Sequence, residues 1–273
     1  MPPSVVAKIR AQFDAGGPLI GRTWPIRYRD EDDVLVAGLR ELGVRRFSAL
    51  PYAHRPDMAE WLNDWAAAFA ARYPDCLVSG TFFPEVGVAD YLARRLESVE
   101  VLKVHVQVGA FHVTDPLLDE AWGLVAEAGT PVVLHAGSGP VGTAYTGPGP
   151  VADLLARHPR LALVIAHLGA PEYDEFFALA ERYERVHLDT TMAFTDFFEA
   201  MGPFPPALLP RLADLGDKVL LGSDYPNIPY DYVHQLESLE RLGLGDDWLR
   251  AVCWGNSERL FGAPSAPPGD VVD

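Results

Sequence analysis

The chain has 273 residues, of which 49% are hydrophobic and 22% are charged, a composition that is ordinary for a soluble globular protein. Its 22 Lys and Arg residues against 38 Asp and Glu residues give a formal net charge of −16, which excludes a nucleic acid or an anionic membrane as the expected partner. No apolar stretch approaches the roughly 20 residues of a membrane span, and no signal-peptide core is visible. We therefore expect a cytoplasmic protein whose partner is a small-molecule substrate.

The first 30 residues contain no run with the pattern of a buried strand. The chain begins with a predicted helix over 4–13, an irregular loop over 16–29 and a second helix over 32–42. From residue 44 onward, continuous apolar runs alternate with amphipathic stretches. The apolar runs predict buried strands at 44–51, 76–83, 101–108, 131–135, 161–167, 186–190 and 218–223. The amphipathic stretches predict helices at 57–73, 88–98, 116–128, 151–158, 172–183, 205–215 and 230–242.

A strand–helix repeat of this length predicts an α/β fold with a parallel sheet, and the class that fits best is a (β/α)8 TIM-like barrel. Such a barrel needs eight strands, and we predict seven, so the chain as given apparently lacks the first strand. We expect residues 1–263 to form one barrel domain with a gap between the strands that contain Phe47 and Leu220, whose edges would be unpaired. The Pro-rich residues 264–273 are expected to be a disordered tail.

Three metal-competent side chains stand at the ends of three predicted strands, in Val-Val-Leu-His135, Leu-Val-Ile-Ala-His167 and Val-Leu-Leu-Gly-Ser-Asp224. Because parallel α/β folds build active sites at the carboxyl ends of their strands, we expect these side chains to meet. Two imidazoles and a carboxylate suit a divalent metal, most simply zinc, with manganese or iron as alternatives. The plainer interpretations are a buried core histidine for His135 and a turn residue for Asp224.

The predicted strand 101–108 alternates between polar and apolar residues. On a strand, this pattern puts Lys103, His105 and Gln107 on one face and the valines on the other. In a barrel the polar face lines the interior, where three polar groups must bind each other, a metal or a substrate to offset the free energy of their burial. We predict that these three residues bind substrate. The alternative is a solvated antiparallel face.

Two loops carry further candidates for substrate binding. His54 and Arg55 follow a predicted strand and are expected to reach a substrate carboxylate. Trp24 and Arg27 lie in a loop that mixes aromatic and cationic groups, which we expect to form part of a lid. At another predicted strand end, Asp189 is either a site residue or part of a polar strand exit.

Four segments of the chain carry a family resemblance. They read Val133-Leu-His135-Ala-Gly, Ile165-Ala-His167-Leu-Gly, Leu221-Gly-Ser-Asp224-Tyr-Pro and Gly255-Asn-Ser-Glu-Arg-Leu-Phe-Gly262. Together they resemble the amidohydrolase-related branch of the metal-dependent amidohydrolase superfamily, which contains TIM-barrel hydrolases and decarboxylases. The resemblance implies a barrel with a divalent metal at its carboxyl-terminal mouth, with His135 and Asp224 as ligands and His167 beside the metal. It also implies that a homodimer is a common assembly.

One element of the family pattern is missing. Members carry a His-x-His pair at the end of the first strand, which supplies two metal ligands, and this sequence contains no His-x-His. We expect the missing element to lie upstream of Met1. The alternative is a barrel whose metal site is defective.

The function that these residues predict is metal-dependent hydrolysis of an amide, ester or lactone in a small, carboxylate-bearing substrate. In this hypothesis a metal-bound water gives its proton to Asp224, and His167 orients or stabilises the developing oxyanion. Non-oxidative decarboxylation of an aromatic or unsaturated acid fits the same residues. Because the His-x-His pair is absent, a non-catalytic barrel that binds a small molecule is the alternative from a different class.

Overall fold

The structure, a computed structural model, describes residues 2–15 and 23–262. The predicted tail 264–273 and part of the predicted loop 16–29 lie outside these residues. The described strands are β1 (Phe47–Ser48), β2 (Cys76–Leu77), β3 (Ser79–Thr81), β4 (Val101–His105), β5 (Val132–His135), β6 (Leu163–Ile165), β7 (Val186–Asp189) and β8 (Val219–Leu220).

Helices alternate with these strands, as the amphipathic stretches predict. The α-helices are α1 (Pro3–Ala15), α2 (Asp32–Glu41), α3 (Ala59–Arg72), α4 (Val88–Arg95), α5 (Val106–Gly109), α6 (Asp119–Ala128), α7 (Pro148–Arg157), α8 (Tyr173–Arg182), α9 (Asp196–Glu199), α10 (Leu209–Asp214), α11 (Tyr232–Glu240), α12 (Asp246–Arg250) and α13 (Asn256–Phe261). Three 3-10 turns, Pro116–Leu118, Ala166–Gly169 and Pro206–Leu208, and a π-helical turn, Ala251–Gly255, complete the helical elements of the described residues.

The strands pair in parallel and in sequence order. β1 pairs with β2, and β3 to β8 form a continuous six-stranded sheet. The predicted strand 76–83 is therefore present in two pieces. It is interrupted at Val78, whose N–H donates to the Glu100 carboxylate at 2.8 Å while the Val78 carbonyl accepts from the Glu100 N–H.

The predicted gap lies between β1 and β8, since no ladder joins these two strands in the part of the chain that the structure describes. The prediction that both edges are unpaired is wrong for β8. The Leu221 N–H donates to the Val252 carbonyl at 3.0 Å, and the Asn256 amide donates to the Val219 carbonyl. The π-helical turn and α13 thus satisfy backbone groups of β8, as buried polar groups require.

The predicted strand 101–108 is shorter than its alternating pattern suggests. β4 ends at His105, whose ring accepts the Val108 N–H at 3.4 Å, and residues 106–109 form the single helical turn α5. Gln107 therefore does not share the strand face of Lys103 and His105, and Val108 is 48% exposed rather than packed under helices. The pattern failed here because a polar–apolar alternation does not report where a capping contact ends a strand.

Two apolar layers flank the sheet. The larger layer lies between the sheet and the helices and contains Leu102, Leu134 and Leu188, all fully buried. The smaller layer lies on the other face and contains Val133 and Val164, in register across neighbouring strands. Side chains alternate along a strand, so every second residue of β4 and β5 lies on the face that carries the smaller layer. Toward the carboxyl ends of these strands, those residues point into the same interior.

A capping contact begins the 3-10 turn that precedes α6. The Asp115 carboxylate accepts the Leu117 N–H at 2.9 Å, with Pro116 at the first position of the 3-10 turn that precedes the helix. The helix ends at Gly129, whose φ of 72° is left-handed. Within the ranges that the structure describes, no helix is both long and apolar enough to cross a membrane.

His187 on β7 makes stability depend on pH. Burial, followed by the nearby Lys218, lowers the pKa of His187 to about 4, and its buried Nδ1 atom has no hydrogen-bond partner among the residues that the structure describes. The unfolded chain binds a proton at this residue near pH 6.5, whereas the folded chain does so near pH 4. The free energy of unfolding therefore does not depend on His187 protonation above pH 6.5, and it decreases as the pH falls from 6.5 to 4. Asp217, Arg185 and Arg259 make smaller electrostatic contributions.

We expect the His187→Leu variant to lose less stability than the wild type on acidification. The difference in free energy of unfolding should widen by up to about 3 kcal/mol between pH 7 and pH 4, because leucine removes a proton-binding group whose pKa differs between the two states. Urea unfolding followed by circular dichroism at several pH values measures this difference. Parallel pH profiles for both proteins would contradict the prediction.

Candidate active site

A cavity of about 1180 Å³ opens at the carboxyl ends of the strands and continues along the gap between β1 and β8. Its polar end is lined by Lys103, His135, His167 and Asp224, as the sequence predicts. Its apolar end reaches the inner layer of the sheet, including Val133. Volume on this scale accommodates a small organic substrate.

Three imidazoles meet at the polar end. His105 and His135 occupy paired positions on β4 and β5, and their rings stack with centroids 3.9 Å apart and planes 13° apart. The His167 ring meets the His135 ring edge-on at 4.9 Å. The three side chains come together because parallel strands bring their carboxyl ends to one rim.

The imidazoles of His105 and His135 favour the neutral form. Burial lowers the pKa of both imidazoles well below their usual range. For His105 the next contribution is the charge of Lys103, and for His135 it is the charge of His105. In the neutral form, His105 already accepts the Val108 N–H at Nδ1, so its other ring nitrogen carries the proton, whereas the neutral His135 ring keeps one lone pair as an acceptor or a ligand atom.

His167 is held in an unusual backbone conformation. Its φ is 56°, in the left-handed region, and its N–H donates to the Asp189 carboxylate at 3.1 Å. The His167 Nδ1 atom lies 2.9 Å from the Thr191 carbonyl oxygen. Because a carbonyl only accepts, Nδ1 carries the proton in this contact, and Nε2 of the neutral ring presents a lone pair.

Asp224 lies beside His167 at the edge of the cavity. The Asp224 Oδ2 atom lies 3.9 Å from the His167 Nε2 atom, and the aspartate side chain is half exposed. Asp224 also has a left-handed φ, at 58°, a conformation that strained functional positions often adopt. Burial, followed by the Asp224 charge, raises the pKa of Tyr52 to about 12 and that of Tyr230 further, so both phenols stay protonated donors.

Lys103 places a buried side-chain amine in the same cavity. The residue is 8% exposed, and its ammonium group makes no hydrogen bond or ion pair within the described ranges. Burial lowers its pKa, while the charges of Asp224 and Asp189 act in the opposite direction. An ammonium that faces a cavity without a close partner is suited to bind an anionic group of a ligand.

Gly222, which follows β8, leaves the space that two site residues need. A Cβ atom at this position would overlap Thr191 Oγ1 and lie 2.8 Å from Asp189 Oδ1.

We expect Gly222→Ala to reduce the free energy of unfolding by about 1–3 kcal/mol, because overpacking forces these side chains to move. Gly123→Ala is the matched control. Its Cβ meets nothing within 4 Å, so alanine should stabilise its helix slightly. Thermal unfolding measures both changes, and equal effects would contradict the prediction.

The structure supports only part of the predicted loop set. Trp24 lines the cavity, donates from Nε1 to the Asn227 carbonyl at 2.7 Å and is 9% exposed, and its role in a lid stays a prediction. Arg27, His54 and Arg55 are not among the residues found to line it. Arg27 pairs instead with Asp231. His54 and Arg55 are exposed. The role of these three residues in substrate binding stays a prediction.

Several cavity residues escaped the sequence analysis. Tyr52 packs on the His105 ring at 4.8 Å, and Phe198 lies parallel to the His167 ring at 5.8 Å. Tyr52 directly follows the predicted strand 44–51, so the same strand-end rule that identified His135 would have found it. Phe198 lies on the short helix α9, and no sequence signal connects it to His167.

The residues present do not fit a complete metal site. Within residues 2–15 and 23–262, no three His, Cys, Asp or Glu side chains are placed to bind one ion. His135, His167 and Asp224 are neighbours, but a catalytic zinc site requires three protein ligands on one ion. Metal binding by this chain therefore stays a prediction.

The sequence profile described as amidohydrolase matches residues 16–263. This chain belongs to the amidohydrolase family. The match covers both the strand-end residues of the cavity and the closing segment that contains Asn256. The family resemblance read from the sequence is therefore confirmed. No protein of curated function matches the chain.

Solved structures confirm the fold of this amidohydrolase. An uncharacterised TIM-barrel protein from Bordetella bronchiseptica is 21% identical, with a TM-score of 0.69 over 84% of this chain and 82% of that chain. A probable 2-pyrone-4,6-dicarboxylic acid hydrolase from Acinetobacter baumannii, solved with citric acid, is 14% identical, with a TM-score of 0.62 over 87% and 92% of the two chains.

A third solved structure adds a different chemistry to the same fold. It is 5-carboxyvanillate decarboxylase from Novosphingobium aromaticivorans, complexed with manganese and 4-hydroxy-3-methoxy-5-nitrobenzoic acid. The identity is 16% and the TM-score 0.58, over 84% of this chain and 79% of that chain. At these identities the likeness shows the α/β TIM-barrel fold. It does not show which reaction this chain catalyses, because one fold supports many reactions.

Proposed function

We propose that this amidohydrolase hydrolyses an amide, ester or lactone bond in a small substrate that carries a carboxylate. The observation that supports this function most directly is the pair formed by Asp224 and His167, whose facing atoms lie 3.9 Å apart at the edge of the cavity. A water molecule with hydrogen bonds of about 2.8 Å to both atoms spans that separation. Two acceptors on one water orient its lone pair toward a bound carbonyl carbon.

The proposed reaction uses Asp224 as the general base. The water oxygen forms a bond to the carbonyl carbon while Asp224 accepts one water proton, and the carbonyl electrons move to the oxygen. When the tetrahedral intermediate collapses, the bond to the leaving nitrogen or oxygen breaks, and protonated Asp224 returns the proton to that atom. His167 holds the second water hydrogen. Its lone pair at Nε2 makes it an acceptor in the neutral form, so we assign it to water orientation rather than to oxyanion stabilisation.

Lys103 is the proposed receptor for the substrate carboxylate. Its side-chain amine faces the cavity and has no close counter-ion in the described part of the chain, so its protonated form would make a charge-assisted hydrogen bond to a bound carboxylate. His105, which stacks on His135, adds a polar wall beside Lys103. Gln107 also lines the cavity, but its amide donates to the Val141 carbonyl. We therefore propose that Gln107 holds the loop that contains Val141.

A divalent metal, with zinc as the first candidate, belongs to this proposal only together with further ligands. His135 and Asp224 are the side chains that would contribute. Because the described residues do not fit a complete site, no step above depends on an ion.

Decarboxylation of an aromatic or unsaturated acid is the second candidate. The observation that favours it is the aromatic lining of the cavity, in which the Phe198 ring lies parallel to that of His167, with planes 5° apart. A planar acid would pack against Phe198 and Trp24 with its carboxylate near Lys103. The decarboxylase among the similar folds makes this reaction a reasonable comparison.

A substrate panel separates these functions. The purified chain is incubated with carboxylate-bearing lactones, esters and amides and with aromatic and enoic acids, and products are identified by mass spectrometry with trapped CO2. A product that has gained one water supports hydrolysis, and CO2 release supports the lyase. Binding of panel members without turnover supports the non-catalytic barrel. The Asp224→Asn variant, purified identically, reveals turnover by contaminating enzymes.

A further inference from the structure

The turn after β7 is fixed by hydrogen bonds from α11. Met192 and Phe194 have left-handed φ angles of 58° and 66°. The Gln235 side-chain amide, fully buried on α11, donates to the Thr190 and Ala193 carbonyls at 3.1 Å each. Two buried hydrogen bonds from one side chain fix a turn that is otherwise strained.

Asp189 joins this turn to the strand end that carries His167. Asp189 is 6% exposed, and its Oδ1 atom accepts the Thr191 N–H at 2.9 Å and the His167 N–H at 3.1 Å. One carboxylate oxygen thus bridges the exits of β6 and β7. Hydrogen bonds to an ionised acceptor are stronger than neutral ones, so this bridge is a firm link between the two segments.

The bridge brings an imidazole and a carbonyl into contact. The left-handed conformations of His167 and Leu168 are each unfavourable by roughly 1–2 kcal/mol for residues other than glycine. The Asp189 bond to the His167 N–H offsets part of this strain. The Thr191 carbonyl then lies 2.9 Å from His167 Nδ1, the contact that leaves Nε2 free to face Asp224.

We infer that Asp189 is a positioning residue that sets the tautomer and direction of the His167 ring. It acts through the backbone, since it contacts the amide groups of Thr191 and His167 and not the imidazole itself. Without the Asp189 acceptor, the left-handed turn relaxes, the Thr191 carbonyl moves away from Nδ1, and the ring no longer commits its proton to that nitrogen. The inference rests on the proposed function for its catalytic consequence, but not for its structural one.

Nitrogen-15 NMR of histidine-labelled protein tests the structural consequence directly. In the wild type at pH 8, His167 is expected to give the pair of ring-nitrogen shifts that marks the neutral Nδ1–H tautomer, and the His167→Gln variant assigns that signal by its loss. In Asp189→Ala the signal should move toward the shifts of the Nε2–H tautomer. Asp189→Asn keeps an oxygen acceptor and should restore the Nδ1–H signal. An Nε2–H tautomer in the wild type would overturn the inference even if Asp189→Ala does not fold.

The matched control is Thr191→Ala. This change keeps the backbone N–H and carbonyl that the inference uses, so the His167 tautomer should stay unchanged. A tautomer that survives in a folded Asp189→Ala variant, or that changes as much in Thr191→Ala as in Asp189→Ala, would overturn the inference.

Kinetics with a substrate from the panel test the catalytic consequence. Asp189→Ala should lower kcat by about 100-fold with little change in KM, because a misplaced catalytic group affects the reaction more than binding. Asp189→Asn should recover kcat to within about 10-fold of the wild type. The NMR result does not require turnover, so a failure of the proposed function leaves the tautomer result interpretable, and a wrong tautomer leaves the proposed function untouched.

Discussion

The Asp224→Asn variant is expected to lower kcat by about 10²- to 10⁴-fold, the range over which a general base contributes to catalysis. Asparagine matches aspartate in size, but its amide cannot accept the water proton. KM should change little, because the proposed substrate contact is made by Lys103. The half-exposed side chain also makes a small effect on unfolding the expected result. Steady-state kinetics with a hydrolysed panel substrate measure the change.

Asp231→Asn is the matched control for this substitution. Asp231 lies seven residues further along, is exposed and pairs with Arg27 on the surface, where an ion pair contributes little to stability. This variant should therefore keep the wild-type kcat. If Asp224→Asn turns over substrate as fast as the control, Asp224 is not the base, and the proposed mechanism is wrong.

The Lys103→Met variant is expected to raise KM by about 10- to 150-fold, since a hydrogen bond to a charged group contributes about 1.5–3 kcal/mol. Stability should not fall, because methionine fills a similar volume and removes a buried amine that has no ion-pair partner within residues 2–15 and 23–262. The substitution thus separates binding from folding. Substrate titrations and thermal unfolding measure the two quantities on the same preparation.

A neutral substrate analogue makes the Lys103 test specific. If the ammonium binds the substrate carboxylate, a derivative whose carboxylate is replaced by a carboxamide should bind the wild type and Lys103→Met about equally. Lys8→Met, which removes an exposed lysine on α1, should leave KM for the carboxylate substrate unchanged. A large loss of stability in Lys103→Met, or an equal effect on the two substrates, would refute the proposed role.

The strand-end rule found His135, His167 and Asp224 because continuous apolar runs mark buried parallel strands, and the residue that follows such a run points into the rim. Lys103 and His105 were found by a different pattern, the polar–apolar alternation of residues 101–108. That pattern failed at Gln107, because the His105 ring accepts the Val108 N–H where the strand ends and the chain enters a helical turn. The position of a loop such as the one that contains His54 is not encoded in either pattern, because loop direction depends on packing against the rest of the barrel.

The edges of the gap show a second limit of sequence analysis. A missing strand ladder follows from counting apolar runs, and the ladder order agrees with that count. The count does not tell which partners the backbone groups at these strand edges bind instead. Val252 and Asn256 bond to β8 from about 30–40 residues away in sequence, because unsatisfied backbone groups take whichever partner the folded chain brings near.

The sequence by itself determined the fold class, the family and the identity of the strand-end residues, since these follow from hydrophobic periodicity and from residues adjacent in the chain. Only the tertiary structure decided how these residues work together. The 3.9 Å approach of Asp224 to His167 and the bridge from Asp189 to His167 join residues from different strand ends, and the packing of the strands places the Lys103 side chain in the same cavity. Such contacts depend on distances between elements, which the order of residues along each element does not encode.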